Sequence, residues 1–134
     1  ADLLLLHQTE HTLMMLNRYP YTNGHLLVAP RRHVGELTDL IAEERADLIE
    51  RVALADRLLR RAMEPQGMNI GMNLGRCAGA GLPGHVHAHV VPRWGGDTNF
   101  MMVTGAVRVV PDSLEKSFAL LRNTLADLME ESGG

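Results

Sequence analysis

Three histidines separated by apolar residues, in the run from His85 to His89, are the residues of this chain best suited to do chemistry. Successive side chains of a β-strand point to opposite faces, so His85, His87 and His89 would share one face at intervals of roughly 6.5 to 7 Å. A neutral imidazole has a proton on one nitrogen and a lone pair on the other, and can therefore donate, accept or attack. Solvated surface histidines, a metal centre and a nucleophilic row are the three interpretations that this pattern leaves open.

A metal centre would need more ligands than the row itself supplies. A His-x-His pair on a strand does bind zinc and other transition metals, but such sites normally add a carboxylate, a histidine or a cysteine. The nearest acidic residue is Asp97, beyond a glycine pair, whereas His25, His33 and Cys77 lie elsewhere in the sequence. Spacing alone leaves this alternative open.

A glycine-rich segment, residues 75–84, directly precedes the histidine row and contains four glycines and one proline. Backbone amide groups that glycine leaves exposed can bind oxyanions in a concave array. A plain turn is the alternative, and it would be the better interpretation if the histidines were absent. Next to the histidines, this segment favours a site at which an imidazole attacks a phosphate, with no metal bound by the protein.

Short apolar runs bounded by turn residues predict the strands that would position this site. Pro20, Asn23 and Gly24 mark a turn before the third run, which ends at Pro30. A further turn is predicted over 92–99. The predicted strands cover residues 3–6, 12–16, 25–29, 68–74, 85–91 and 100–103.

A long helix is predicted over 38–63, where apolar residues recur at helical spacing. Thr38 or Asp39 would cap its N-terminus, and Pro65 and Gly67 would stop it. Its predicted buried stripe consists of Leu48, Val52, Ala55, Leu59 and Met63.

A second helix is predicted over 112–131 by the same spacing. Asp112 and Glu115 would form a capping pair at its start. Its predicted buried stripe consists of Leu114, Phe118, Leu121, Leu125 and Leu128.

The composition limits the class of protein. A chain of 134 residues is long enough for one domain with its own core, so we expect a single domain over 1–134. A formal net charge of −3 does not indicate a nucleic acid or an acidic membrane as partner, and two Phe, two Tyr and one Trp are too few for a base-stacking platform. Cys77 is the only cysteine, and no signal peptide or membrane span is apparent, so we expect a cytoplasmic protein.

The run His85 to Val91 resembles the motif of the histidine triad (HIT) family, in which three histidines alternate with apolar residues. The block from Asn17 to Pro30 resembles the first block of the same family, and the similarity extends from about Thr12 to Met102. Within the family the chain is similar to the fragile-histidine-triad branch. Residues 92–100 resemble bacterial diadenosine tetraphosphate phosphorylases in particular.

This resemblance implies a fold, an assembly and an activity. The fold would be α+β, an antiparallel sheet of about five strands with two helices, and the chain would form a homodimer. The activity would be cleavage of dinucleoside polyphosphates, by phosphorolysis or hydrolysis, through a nucleotidyl-histidine intermediate. Hydrolysis of nucleoside phosphoramidates or adenylated amines is an alternative, and a non-catalytic nucleotide sensor is another. No cofactor would be required, although magnesium could act through the substrate polyphosphate.

The resemblance also implies a role for each histidine of the site. His87 would be the nucleophile that attacks the α-phosphorus, and His89 would contact the α-phosphate oxygens. His85 and His25 would orient the other two. On residue type alone, His25 could equally be a hydrogen-bonded polar residue at the start of a strand.

Further residues match the nucleotide-binding positions of the family. Asn17 and Asn73 would bind ribose and phosphate, although both could cap turns, and Leu27 would line the base pocket, although it could be plain core. Gly79, Ala80 and Gly81 would bind phosphate through their backbone, because this chain lacks the glutamine that the family usually has there.

A second anion could occupy the site beside the first. Arg93 or Arg76 could steady it, although either could be a solvated surface residue.

Overall fold

An antiparallel sheet flanked by helices forms the fold, and the predicted α+β class is confirmed. The computed structural model describes residues 3–17, 24–75, 84–95 and 113–133. Within them lie five strands, a short 3-10 helix and two α-helices. In chain order these are β1 (Leu3–Gln8), β2 (Thr12–Asn17), β3 (Leu26–Pro30), the 3-10 helix (Leu37–Asp39), α1 (Ala42–Met63), β4 (Gly67–Met72), β5 (Ala88–Arg93) and α2 (Leu114–Gly133).

The sheet has the strand order β1-β2-β3-β5-β4 and separates a buried face from a more open one. Residues along β2 and β5 alternate strictly between buried and half-buried, as expected for strands covered on one side. The buried residues of β2, β3 and β5 join the core formed with α1 and α2. On the other face, Leu27 of β3 and Gly71 of β4 flank His89 of β5 in the strand register.

Both helices bury the stripes that the sequence predicts. In α1 the buried set includes Leu48, Val52, Ala55 and Leu59, and Met63 packs against the core as a half-buried residue. In α2 the buried set includes Leu121, Leu125 and Leu128, with Leu114 and Phe118 half-buried. Among the described residues, no helix combines the length and the apolar character that a membrane span requires.

The first helix begins later than predicted and has a different cap. Thr38 and Asp39 lie in the 3-10 helix, and α1 starts at Ala42 after the N-cap residue Ile41. The Glu44 carboxylate accepts a hydrogen bond from the Ile41 N–H at 2.9 Å. A carboxylate in the first turn satisfies a backbone donor that has no partner inside the helix, so it replaces the predicted Thr or Asp cap.

The first helix ends at Met63 as predicted, but Gly67 has no part in stopping it. Glu64 adopts the left-handed conformation with φ of 50°, and its N–H donates to the Arg60 carbonyl at 3.2 Å. Pro65 follows immediately, where proline is common because it cannot continue a helix. Gly67 is instead the first residue of β4.

The second helix starts two residues after its predicted position. The Ser113 hydroxyl accepts a hydrogen bond from the Lys116 N–H at 3.2 Å and thereby caps α2. The predicted partner of Glu115, Asp112, lies outside the described residues.

Strand boundaries differ from the prediction mainly at β5. The strand covers 88–93 rather than 85–91, because the Val86 N–H donates to the Val34 carbonyl, 2.7 Å away, before pairing with β3 begins at Ala88. Pro92 and Arg93, which were predicted to form a turn, still pair with β4. The predicted strand over 100–103 and most of the predicted turn before β3 lie outside the described residues.

Truncation of Leu121 to alanine should lower the free energy of unfolding by about 2–5 kcal/mol, because the side chain is fully buried between α2 and the core. Its neighbour Leu120 is 40% exposed and gives a control of the same chemistry on the same helix. Leu120→Ala should change the free energy of unfolding by no more than about 0.5 kcal/mol. Urea unfolding measures both variants, and equal losses would show that α2 does not pack as described.

Candidate active site

The histidine cluster lies on the sheet face turned away from the helical core. Val86, Ala88 and Val90 are buried, whereas the histidines between them are half-buried. The predicted alternation is therefore confirmed, although only His89 is within β5 and the other two histidines precede it.

The imidazoles of His25, His87 and His89 form one continuous group on this face. The sequence pattern instead suggested a group of His85, His87 and His89. The ring centroids of His87 and His89 are 4.9 Å apart, and those of His25 and His89 are 5.1 Å apart. His85 directs its ring towards Pro30 and His33. His85 lies on the same face as His87 and His89, as predicted, but its ring is bound to a carbonyl at the end of β3 and is turned away from the other two.

The tautomer of His87 is fixed by the backbone. Its Nδ1 lies 2.9 Å from the carbonyl oxygen of His85. A carbonyl oxygen can only accept, so Nδ1 carries the proton, and in the neutral ring Nε2 has the lone pair. Nε2 of neutral His87 is therefore unprotonated, as a nucleophilic nitrogen would have to be.

A series of hydrogen bonds also connects the side chains of Asn17, His25 and His89. The Asn17 amide nitrogen lies 3.3 Å from His25 Nδ1, and His25 Nε2 lies 2.9 Å from His89 Nδ1. Because the amide nitrogen donates, His25 Nδ1 accepts and His25 Nε2 donates to His89. The proton of neutral His89 is consequently on Nε2, where it can be donated to a ligand.

Burial keeps the imidazoles of His25 and His89 uncharged. Burial, with smaller contributions from the neighbouring His89 and His87, lowers the pKa of His25 to about 4. Burial also lowers the pKa of His89, again with a contribution from His87. Both rings are therefore neutral at pH 7, and each presents one donor and one acceptor.

Besides Asn17, which contacts His25, two of the predicted nucleotide-binding residues lie beside this group. Asn73 follows β4 and lines, together with His89, a shallow depression over β4 and β5. Leu27 is half-buried and pairs directly with His89 across β3 and β5. The structure therefore places an amide and an apolar side chain beside the histidines, and their role in nucleotide binding stays a prediction.

Other predicted residues are elsewhere or cannot be placed. Arg93 lies at the far end of β5, where its guanidinium donates to the Asn69 side chain at 2.8 Å. The predicted phosphate-binding residues Gly79, Ala80 and Gly81, and also Arg76, lie outside the described residues.

Two groups that contact the site were missed by the sequence interpretation. The Pro30 carbonyl binds His85 Nε2 at 2.8 Å, and His33 Nδ1 lies 3.2 Å from His85 Nδ1. From the sequence, His33 was considered only as a potential metal ligand distant from the row, and its histidine side chain just after Pro30 was the available signal. The contact itself joins residues 52 positions apart, which periodicity does not reveal.

In the part of the chain that the structure describes, no three His, Cys, Asp or Glu side chains converge as metal ligands. His87 Nδ1 and His85 Nε2 donate to carbonyls, and His25 Nε2 donates to His89. A metal at these nitrogens would have to displace hydrogen bonds that the fold already makes. The absence of a metal site nevertheless stays a prediction, since Cys77 and Asp97 lie outside the described residues.

Comparison with known proteins identifies the class to which this fold and site belong. The family model of the HIT domain matches residues 2–96, and the chain belongs to that family. AP-4-A phosphorylase of Mycobacterium tuberculosis is 47% identical over 107 residues, which are 80% of this chain and 55% of that protein. Bis(5'-nucleosyl)-tetraphosphatase of Schizosaccharomyces pombe is 34% identical over 87 residues, 65% of this chain and 47% of that protein.

The fold is also that of solved HIT structures. A zinc-bound histidine triad family protein from Mycobacterium smegmatis superposes with a TM-score of 0.78 at 34% identity, covering 98% of this chain and 89% of the other. The chain spans only about half the length of the two curated relatives described above.

Replacing His25 by glutamine should weaken the acid sensitivity of the fold, because glutamine can donate to His89 but cannot titrate. The pKa of His25 is about 4 in the folded protein and about 6.5 when unfolded, so only the unfolded chain takes up this proton between those values. Falling pH in that window therefore lowers the free energy of unfolding of the wild type more than that of His25→Gln.

Urea midpoints at several pH values between 7 and 4 measure this difference, with circular dichroism at pH 7 to verify that the variant is folded. If the two proteins lose stability equally as the pH falls, His25 is not held neutral by burial.

Proposed function

We propose that this chain cleaves dinucleoside polyphosphates by attack of His87 on the α-phosphorus of the substrate. The observation that carries the proposal is the hydrogen bond from His87 Nδ1 to the His85 carbonyl, which leaves the lone pair on Nε2. The class of substrate is supported by the similarity of the chain to two enzymes, an AP-4-A phosphorylase and a bis(5'-nucleosyl)-tetraphosphatase.

In the first step, a bond forms between His87 Nε2 and the α-phosphorus, and the bond from that phosphorus to the bridging oxygen breaks. The remaining nucleoside polyphosphate leaves with the bonding electrons, and the nucleotide stays on the histidine as a phosphoramidate. The ring gains positive charge as its lone pair is shared. The His85 carbonyl, 2.9 Å from Nδ1, stabilises that charge through the proton that Nδ1 retains.

His89 stabilises the opposite charge in this mechanism. Its Nε2–H donates to an oxygen of the α-phosphate, while its Nδ1 stays engaged with His25 at 2.9 Å. Because both rings are neutral and fixed by hydrogen bonds, the donor needs no reorganisation during the reaction. Asn17 completes the chain by donating to His25.

In the second step, an acceptor oxygen attacks the phosphorus and the bond to His87 breaks. The electron pair returns to Nε2, and the histidine is ready for another cycle. Inorganic phosphate as acceptor would release a nucleoside diphosphate, and water would release a nucleoside monophosphate with loss of one proton.

Residues near His87 and His89 would bind the nucleotide. Asn73 would contact ribose or phosphate from the end of β4, and Leu27 would contribute to the base pocket. Residues 79–81, outside the described part of the chain, would bind phosphate oxygens through their backbone amides. The mechanism uses no metal bound to the protein, because imidazole nitrogens supply both the nucleophile and the donors. Magnesium can act through the polyphosphate itself.

His87→Asn should abolish turnover of diadenosine tetraphosphate, with a loss on the order of 100-fold or more, while nucleotide affinity stays close to wild type. Asparagine keeps a polar side chain at this position but offers no imidazole lone pair to phosphorus. Steady-state rates and calorimetric binding measure the two effects.

His11 lies between β1 and β2, away from the site, and provides a control. The His11→Asn variant should keep the wild-type rate. A His87→Asn variant with more than about one-tenth of wild-type activity would exclude His87 as the nucleophile.

The acceptor should be inorganic phosphate, so that diadenosine tetraphosphate and phosphate yield ADP and ATP. The similarity of the chain to an AP-4-A phosphorylase supports this choice over water. Chromatography of the products at millimolar phosphate distinguishes the reactions, since hydrolysis yields AMP and ATP. If AMP predominates and phosphate changes neither rate nor products, the phosphorylase assignment fails while the histidine mechanism stands.

A further inference from the structure

The two sides of His89 on the open face of the sheet differ in character. In the strand register His89 pairs with Leu27 of β3 on one side and with Gly71 of β4 on the other, and paired residues of an antiparallel sheet share a face. Leu27 pairs in turn with Met15 of β2, so the side towards β2 is apolar. On the side towards β4, the residue directly beside His89 has no side chain.

The fold does not account for a glycine at position 71. Glycine inside a strand weakens it, and it often marks a bulge, a bend, or the close approach of a ligand or another backbone. The pairing of β4 with β5 runs from Gly67 to Met72 without a register shift, so no bulge is present there. A Cβ atom at Gly71 would have no atom of the described residues within 4 Å, and its φ is not positive. The missing side chain therefore leaves open space beside His89.

This space belongs to the depression over β4 and β5, which is small and suited to an anion. Its volume is about 240 Å³, below the roughly 300–1,000 Å³ of sites that hold a whole small ligand, so it has room for only part of a substrate. Asn69 and Asn73 line it on either side of Gly71, and their amides can donate to phosphate oxygens. The Arg93 guanidinium donates to Asn69 at 2.8 Å, and neither β4 nor β5 contains an acidic residue.

We propose that this depression receives the leaving part of the substrate, the nucleoside polyphosphate beyond the α-phosphate, and that Gly71 determines whether it can enter. The α-phosphorus bears a nucleoside on one side and the polyphosphate on the other. A base on the apolar side, at Leu27, therefore leaves the polyphosphate on the side of Gly71. The amides and the cation there stabilise its negative charge. The assignment rests on the proposed function, because it places the reacting phosphate at His89.

Valine at position 71 fills the space without a change of fold. Valine is favoured in strands, and the described residues leave room for it at Gly71. Gly67→Val is the matched control, since Gly67 lies on the same strand, has no atom within 4 Å of a Cβ position, and pairs with Arg93 rather than His89. Thermal midpoints establish that the variants are folded. Gly71→Ala should show the same pattern to a smaller degree, and it decides the question if Gly71→Val does not fold.

Calorimetric binding, which needs no turnover, is the first measurement. The probes are AMP and a diadenosine tetraphosphate with methylene groups in place of the bridging oxygens next to both α-phosphates, so that it cannot be cleaved there. Gly71→Val should bind this analogue about 10-fold or more weakly than wild type and AMP within about twofold, because only the analogue extends into the depression. Gly67→Val should bind both probes as wild type does. Equal losses for the two probes, no loss for either, or the same loss in Gly67→Val would overturn the inference.

Turnover of diadenosine tetraphosphate is the second measurement. Its kcat/KM should fall about 10-fold or more in Gly71→Val and stay close to wild type in Gly67→Val. Where inorganic phosphate is the acceptor, its KM should be the same in Gly71→Val and wild type. A raised KM for phosphate with unchanged affinity for the analogue would assign the depression to the acceptor and overturn the inference.

The measurements also separate this inference from the proposed function. A wild type that neither binds the analogue nor cleaves diadenosine tetraphosphate would refute the proposed function, and the inference with it. A wild type that does both, with Gly71→Val equal to it, would refute only the role of Gly71. If His87→Asn stays active, the nucleophile is wrong, and the binding comparison still decides what enters the depression.

Discussion

The hydrogen bond between His87 Nδ1 and the His85 carbonyl is the interaction on which the proposed chemistry depends. An imidazole can attack phosphorus only through an unprotonated nitrogen, and the 2.9 Å contact decides that this nitrogen is Nε2. A side-chain acceptor could itself change protonation state, but a backbone carbonyl cannot. The backbone just before β5 therefore sets the tautomer of His87, the proposed nucleophile.

Two histidine pairs flank that interaction and have different environments. His25 and His89 lie in the more buried pair, where burial lowers the pKa of both rings and Asn17 sets the direction of the hydrogen bonds. His33 and His85 form the more exposed pair, anchored through the β3 carbonyl of Pro30. In the proposed mechanism, the buried pair is thereby suited to donate to a phosphate through His89.

Sequence patterns predicted what depends on local periodicity. The buried positions of Val86 and Ala88, and the leucine stripes of both helices, follow from spacing along one strand or helix. The orientation of His85 could not be predicted in this way, because its ring binds a carbonyl 55 positions earlier in the chain. The cap of α1 was missed for a related reason, since Glu44 serves both the helix terminus and Arg32.

Intact-protein mass spectrometry after rapid alkaline quenching is the most direct measurement of the nucleophilic role of His87, because a phosphoramidate survives in alkali. With diadenosine tetraphosphate, wild-type protein should acquire the mass of one adenylyl group within a single turnover, and peptide mapping should locate it on His87. Wild-type protein that turns over the substrate without any adduct, or with an adduct on another residue, would contradict the covalent mechanism.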